Sequence, residues 1–512
     1  MTHIEVEALL AALPARIDAI VRRHARTTPD APALREDGRT LGYRELENAI
    51  DACAAWLRDL GVQAGERVML VSENCVAQVA ALFAIASLDA CFVNVNARLT
   101  APELETIRSH CGARVVLYTA AISADAAAHA ASAGAGAHAH GGLVASLHAD
   151  AGLAQAMAAP AAGSPAAGSP AALVYTTGTT GNPKGVMLSH RNLLFVAAVS
   201  SRLRGLAPAD LAYGVLPVSH VYGLSSVLLG TLYAGACLRL APRFTPQAML
   251  AAIRGGELTI VQGVPAMYAR LLELCAAEGA GPQGSPAPLA SRLRFAYAGG
   301  SPLDPTLKRD VERLLGVPLH NGYGLTEAAP TVSQTRLDAP RADTSVGHPI
   351  PGVEVRVDGT DGKLFVRGPN VMLGYYRDPP GTAAVLDADG WLDTGDLARQ
   401  GPDGALFIDG RGKELIIRSG FKVYPLEVET VLNAHPAVTQ SAVVGRALQG
   451  GNEQVVAFVQ PAAGRALTAD ELLDWAGARL APYKRPARIV FMDSLPAAAS
   501  GKVLKHRLRM PG

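Results

Sequence analysis

Regular patterning is strong from residue 44 onward. In RELENAIDACAAWLRDLG (44–61) the apolar positions Leu46, Ile50, Cys53, Ala54 and Leu57 recur every three or four residues, which predicts one face of a helix ending at Gly61. ERVMLVSEN (66–74) predicts a strand, AQVAALFAIASLDA (77–90) a buried helix and ARVVLYT (113–119) another strand. This β-α-β rhythm predicts a layered α/β domain. From about Ala120 to Ala172 the pattern lapses into Ala, Gly, Ser, His and Pro, closing on a repeated AAGSP, and reads as a mobile connection. Strand and helix signals resume at ALVY (172–175) and continue to about residue 400. The last hundred residues differ. They hold ELIIRSGFKV (414–423), a helix after Pro425, strand signals in SAVVGRA (441–447) and EQVVAFVQP (453–461), and a capping box of Thr468 and Glu471 opening a further helix. This is the pattern of a small, separate α+β domain, with DGRGK (409–413) as its joint.

A chain of 512 residues exceeds one compact core, so two to four domains are expected. Lys+Arg 46 against Asp+Glu 45 leaves +1, which offers no general electrostatic footing for nucleic acid or an anionic membrane surface. The six cysteines are scattered without C-x-x-C spacing, so neither a zinc site nor a redox pair is suggested, and a reducing, cytoplasmic setting is expected. The first 25 residues do not read as a signal peptide, and no run of about 18 apolar residues predicts integral membrane association. His129, His138, His140 and His148 have no regularly spaced carboxylate or cysteine partners and read as part of a solvated linker.

VYTTGTTGNPKGVMLSH (174–190) sets three glycines, four threonines and a lysine between apolar strand-like residues. Small residues admit close backbone approach to phosphate, and hydroxyls and a lysine add donors. The segment lacks the G-x-x-x-x-G-K-[ST] pattern, and Gly-Asn-Pro is also a turn signal, so composition leaves a phosphate loop and a plain turn open. Four further segments mix small and polar residues in the same way: AYAGGSPL (296–303), NGYGLTE (321–327), GWLDTGDLA (390–398) and PAAASGKVLKHRL (496–508).

Together and in this order these segments resemble the acyl-adenylate-forming superfamily, which includes acyl-CoA synthetases, luciferases and adenylation domains. The resemblance implies a large N-terminal domain, residues 1–410, of layered α/β subdomains with a distorted β-barrel, and a small mobile α+β domain, 411–512, closing over it. It implies a carboxylic acid–CoA ligase acting on a fatty or aryl acid. The enzyme would form acyl-AMP and pyrophosphate from ATP, then acyl-CoA and AMP after domain rotation. The alternative is transfer of the acyl group to a carrier-protein phosphopantetheine. By resemblance Thr176, Thr177, Gly178, Thr179, Thr180, Gly181 and Lys184 wrap the β- and γ-phosphates. Tyr323 stacks on adenine with Asn321 and Gly322 at its edge, Thr326 meets the α-phosphate, and Glu327 holds Mg2+. Asp396 and Arg411 hold the ribose. Lys502 bridges carboxylate and α-phosphate during adenylation, Lys413 is the hinge, Gly420 lines the pantetheine tunnel, and Lys422 contacts coenzyme A phosphates or the nucleotide.

LPVSHVYGL (216–224) resembles the segment beside the acyl pocket, with His220 at its mouth. It carries no carboxylate to pair a substrate ammonium, which disfavours amino acids. Val264, Pro265, Tyr297, Ala298, Gly299, Gly300 and Ser301 are the other expected walls.

Overall fold

The computed structural model describes residues 3–148, 169–176, 184–278, 288–418, 421–448, 453–498 and 502–508. The expected helices and strands of the first 120 residues are present as Tyr43–Asp59, Arg67–Ser72, Val76–Ser87 and Val115–Tyr118. Every residue of Arg67–Ser72 is buried, as expected of a parallel strand covered on both faces. It lies inside a sheet ordered Gly374–Tyr375, Lys184–Ser189, Pro170–Thr176, Cys91–Asn96, Arg67–Ser72, Val115–Tyr118, Leu143–Leu147, His138–His140.

A second sheet carries the elements that matter most for chemistry. Leu319–Gly324, Phe295–Ala298, Ile260–Gly263 and Leu211–Gly214 lie side by side and parallel. Their C-terminal ends run into Leu325–Thr326, Gly299–Gly300, Val264 and the Leu216–His220 segment. Open α/β sheets present ligands at this edge. A four-stranded antiparallel sheet follows, Glu354–Val357, Lys363–Arg367, Leu392–Gln400 and Leu406–Arg411.

Beyond Arg411 the chain builds its own core. Val438–Ala447, Glu453–Pro461 and Arg488–Phe491 form a sheet, packed with helices Pro425–Asn433 and Ala469–Gly477 through Val428, Leu432, Val443, Val455 and Leu472. The capping box forms as expected: Thr468 Oγ1 accepts from the Glu471 amide, and Glu471 Oε2 accepts from the Thr468 amide at 2.8 Å.

The connection expected over 120–172 requires correction. Its first part is ordered structure: helix Ala124–Ser132, capped by Ser123, and a hairpin of His138–His140 with Leu143–Leu147 that extends the sheet edge. The histidines belong to this fold. His129 Nε2 lies 3.1 and 3.0 Å from the carbonyl oxygens of Ala97 and Leu99, and His148 Nε2 lies 3.0 Å from Ser146 Oγ. Residues 149–168 of that stretch lie outside the described residues.

Candidate active site

Four loops at the edge of the second sheet and two segments from farther along the chain meet in one cleft. The strand Leu319–Gly324 and the 3-10 turn Thr326–Ala328 supply Tyr323, Thr326 and Glu327. Tyr323 OH donates to Asp396 Oδ2 at 2.5 Å, and Arg411 Nε pairs with Asp396 Oδ1 at 3.2 Å. Asp396 and Arg411 face each other across the antiparallel register of their strands, so the sheet itself fixes the pair. Burial raises the Asp396 pKa, while Arg411 and the Tyr323 hydroxyl pull it back. Asn321 is spent on backbone: its Nδ2 donates to the carbonyls of Thr344 and Ser345, and its Oδ1 accepts from the Gly322 amide.

Gly322 is required here. A Cβ at this position would fall 1.7 Å from Tyr297 Oη and 2.8 Å from the Ser333 carbonyl oxygen. Gly299 sits at a waist, its notional Cβ 3.3 Å from the Cε1 atoms of both Tyr222 and Tyr297. Gly300 has φ +81°, a backbone region that L side chains rarely adopt, and its notional Cβ would lie 3.5 Å from Val264 Cγ1.

The segment 216–224 leads into a π-helix, Tyr222–Leu229, a rare form that recurs at functional sites. His220 Nδ1 accepts from the Tyr222 amide at 3.3 Å. Burial, and then the Lys502 ammonium, push the imidazole down to about 4, so it is neutral at pH 7. With Nδ1 accepting, the neutral ring keeps its proton on Nε2 as a donor.

Lys502 reaches the same place from the other end of the chain. The backbone pairs Ala497 with Val503 and the Ala498 amide donates to the Lys502 carbonyl, which ties the Lys502 backbone to Ala497–Ala498. Three residues on, Lys505 Nζ is clamped by Glu414 and Glu429 at 2.9 Å each. Desolvation lowers the Lys502 pKa, Arg411 lowers it further, and Asp396 and Glu414 oppose the shift. The ammonium thus lies within electrostatic reach of His220, Asp396 and Arg411.

Of the expected phosphate loop, Thr176 ends a strand and Lys184 begins the next, paired in register. Thr177, Gly178, Thr179, Thr180 and Gly181 lie outside the described residues, as does Gly420. Lys184 Nζ is 3.6 Å from Asp378 Oδ2 and 4.3 Å from the centroid of the Tyr375 ring. Tyr375 OH donates to Glu327 Oε1 at 2.9 Å. Lys184, Tyr375 and Glu327 therefore form one connected unit. Among the described residues no group of three or more His, Cys, Asp or Glu could cage a metal. A single carboxylate such as Glu327 suits Mg2+, which keeps most of its ligands as water and phosphate oxygens.

Lys413 lies in the exposed 3-10 turn Gly412–Glu414, straight after the strand bearing Arg411. Lys422 Nζ lies 3.5 Å from Asp361, across to the antiparallel sheet of the large region. Sequence reasoning missed Tyr375, Asp378, Lys505, Glu414 and Glu429. Only GYYRD (374–378) carried a usable signal, a tyrosine pair beside charges.

No described helix is long and apolar enough to cross a membrane. Residues 21–376 match the family model of the AMP-binding enzymes, and residues 427–502 match that of the AMP-binding enzyme C-terminal domain. The chain is 36% identical over 499 residues to a feruloyl-CoA synthase of an Amycolatopsis species, covering 95% of this chain and 97% of the relative. It is 35% identical over 505 residues to an indoleacetate–CoA ligase of Aromatoleum aromaticum, covering 96% of each. Its fold matches the crystal structure of ATP-bound MatB from Rhodopseudomonas palustris with a TM-score of 0.80 at 30% identity, over 96% of this chain and 97% of that one. This chain is a member of the AMP-binding enzyme family.

Proposed function

We propose that the protein is an ATP-dependent carboxylic acid–CoA ligase, acting through an acyl-adenylate on an aryl or aliphatic acid. The observation that carries this reading is the position of Lys502, within electrostatic reach of His220, Asp396 and Arg411 in one cleft. The first half-reaction joins two anions, a carboxylate and the α-phosphate, while charge moves onto departing pyrophosphate. Such a step gains most from preorganised cations and donors. Lys502 supplies the cation. Neutral His220 supplies an Nε2–H donor beside it without adding a second charge. Tyr323 offers the adenine its ring, and Asp396 with Arg411 offers the ribose hydroxyls an acceptor and a donor. Thr326 serves the α-phosphate. Lys184, held between Asp378 and Tyr375, serves the outer phosphates together with the threonine-glycine loop. Glu327 would hold Mg2+, which neutralises phosphate charge.

In this reading residues 1–410 form the large domain and 411–512 the small one. Rotation about Lys413 exchanges Lys502 for the face bearing Gly420 and Lys422, and the coenzyme A thiol then attacks the acyl carbon and releases AMP. The relatives named above act on feruloyl and indoleacetyl groups, which favours an aryl acid over an amino acid. Val218, Ser219, Val221 and Tyr222 around His220 also offer no carboxylate for an ammonium. The test is pyrophosphate release from ATP with a panel of aryl, aliphatic and amino acids, followed by addition of coenzyme A or a phosphopantetheinylated carrier protein. Aryl or aliphatic acids should release pyrophosphate, and coenzyme A should yield the thioester. Robust activation of a free amino acid, or acyl transfer to the carrier protein alone, would overturn the reading.

A further inference from the structure

Against the ring of Tyr297, which borders Gly299, lies a cationic group that the adenylation chemistry does not use. Arg204 caps the helix His190–Leu203 and is 1% exposed. Its Nη1 donates to Gln262 Oε1 at 2.7 Å and to the Ser226 carbonyl at 3.2 Å, and its Cζ lies 4.5 Å from the centroid of the Tyr297 ring. No Asp or Glu among the described residues lies within 4.0 Å of this guanidinium. A guanidinium stays charged at every physiological pH. A buried charge without a counter-charge is costly, and one ring face and two neutral acceptors offset only part of that cost.

The unmet hydrogen-bonding capacity around Arg204 includes two groups that can only donate, beside hydroxyls that can donate or accept. Arg204 Nε has no partner. Because Gln262 turns its oxygen to Arg204, its Nε2 is left as a free donor, and that atom has no partner either. The Tyr222 hydroxyl is also unpartnered, as are the hydroxyls of Ser200, one turn before Arg204, and Ser225, next to Ser226. Gln262 is 1% exposed and Tyr222 is 6% exposed. Gln262 and Tyr297 are neighbours in register on adjacent parallel strands, and the rings of Tyr222 and Tyr297 have centroids 6.2 Å apart. Tyr222 stands two residues after His220. His220, Tyr222, Tyr297 and Arg204 are thus linked through neighbouring side chains, with Tyr222 and Tyr297 flanking Gly299 and Arg204 against the Tyr297 ring.

We propose that the acid activated by this enzyme carries a second carboxylate, bound by Arg204 with the Gln262 amide and the Tyr222 hydroxyl. This rests on the acid–CoA ligase reading above and narrows its substrate class. Carboxylate is favoured over a neutral oxygen because it alone supplies the missing counter-charge, and the planar guanidinium suits its geometry.

The test uses the full-length enzyme and size-matched acids: 4-carboxycinnamate, 4-hydroxycinnamate and 4-methylcinnamate, and aliphatic mono- and dicarboxylates of equal length. Pyrophosphate release gives kcat/KM for each. The wild type should prefer the second carboxylate over methyl by at least about tenfold, or about 1.4 kcal/mol. Arg204→Met should abolish or invert that ratio, and Arg204→Lys should retain part of it. The wild-type ratios do not depend on any variant folding. Equal rates for carboxy and methyl acids, a preference for the hydroxy acid, or equal loss for all acids in Arg204→Met would overturn the proposal and leave the ligase reading standing. Release of pyrophosphate with no acid of any class would overturn both.

Discussion

At the scale of single residues, the cleft separates groups that bear charge from groups that hold them in place. Lys502 bears charge. Lys502→Ala should cut acyl-AMP formation by at least about a hundredfold, equivalent to roughly 2.7 kcal/mol of transition-state stabilisation. The same variant, given preformed acyl-AMP and coenzyme A, should make thioester near the wild-type rate, and equal loss in both assays would remove Lys502 from the adenylation step. Burial and Arg411 lower its pKa, so the alkaline fall of adenylation should begin below the usual lysine range. Lys502→Arg, slower but charged throughout, should lack that fall. Tyr375 holds a charge in place. Tyr375→Phe removes the donor to Glu327 and should raise the KM for MgATP by about tenfold, the usual weight of a hydrogen bond to a charged group. An unchanged KM would mean that Glu327 needs no such support. Lys502, Asp396 and Glu327 could be proposed from the sequence because their short motifs, taken together and in order, resemble a known family. Lys505 was not legible, because its partner Glu414 lies 91 residues away and only the fold brings them together, and Tyr375 had only the signal of GYYRD, its partner Glu327 lying 48 residues away.

Elements show the same division for a different reason. Apolar periodicity predicted the parallel strands and the helices around them because burial on both faces leaves a continuous apolar run. The stretch after Ala120 misled because its composition outweighed its spacing. Ala126 and Ala130 are buried four residues apart on helix Ala124–Ser132, and alanine is a strong helix former. Gly141 and Gly142, with φ of 55° and 88°, are a two-residue hairpin turn that Gly-Gly favours. Reading period before composition would have found both. At the active-site strand the constraint is steric. Gly322→Ala drives its methyl into Tyr297 Oη and toward the Ser333 carbonyl. It should therefore abolish acid-dependent pyrophosphate release. Tyr297→Ala added to it should restore that activity only in part, because the backbone conflict with Ser333 persists. Full activity in Gly322→Ala alone would contradict the packing described for this strand.

For the whole molecule, two kinds of charge set the response to conditions. His190, His220 and His320 are each pushed down to about 4, with burial the largest cause. Their stabilising contribution is complete above the ordinary histidine value of about 6.5 and is lost as pH falls through about 4, since the unfolded chain binds protons first. Each of the well-buried pair, His190 and His320, accounts for up to roughly 3 kcal/mol across that window. The urea midpoint should therefore fall steadily between pH 7 and pH 4, and a flat profile from pH 7 to pH 5 would contradict this.

The second kind of charge bridges the two parts of the chain. Arg507 Nη2 lies 3.5 Å from Glu103 Oε1, and Lys422 lies 3.5 Å from Asp361. Both pairs are solvent-exposed, and exposed pairs contribute about 0–1 kcal/mol each. Under the proposed mechanism, contacts this weak would hold the small region with Lys502 near the cleft and still release it for the second half-reaction. The proposed rotation can be tested by removing that freedom. All six native cysteines are buried, and burial pushes the Cys53 and Cys75 thiols up to about 12, which leaves them poor targets for maleimide. Cysteines introduced by Glu103→Cys and Arg507→Cys would be the reactive pair, and a short cleavable bis-maleimide would tie the small region in the orientation seen here. The linked enzyme should release one equivalent of pyrophosphate and retain its acyl-AMP, yet form thioester at least about a hundredfold more slowly than the unlinked control. Cleaving the linker should restore thioester formation. A linked enzyme that makes thioester at the control rate would show that both half-reactions run in this one orientation and that Lys413 is no hinge.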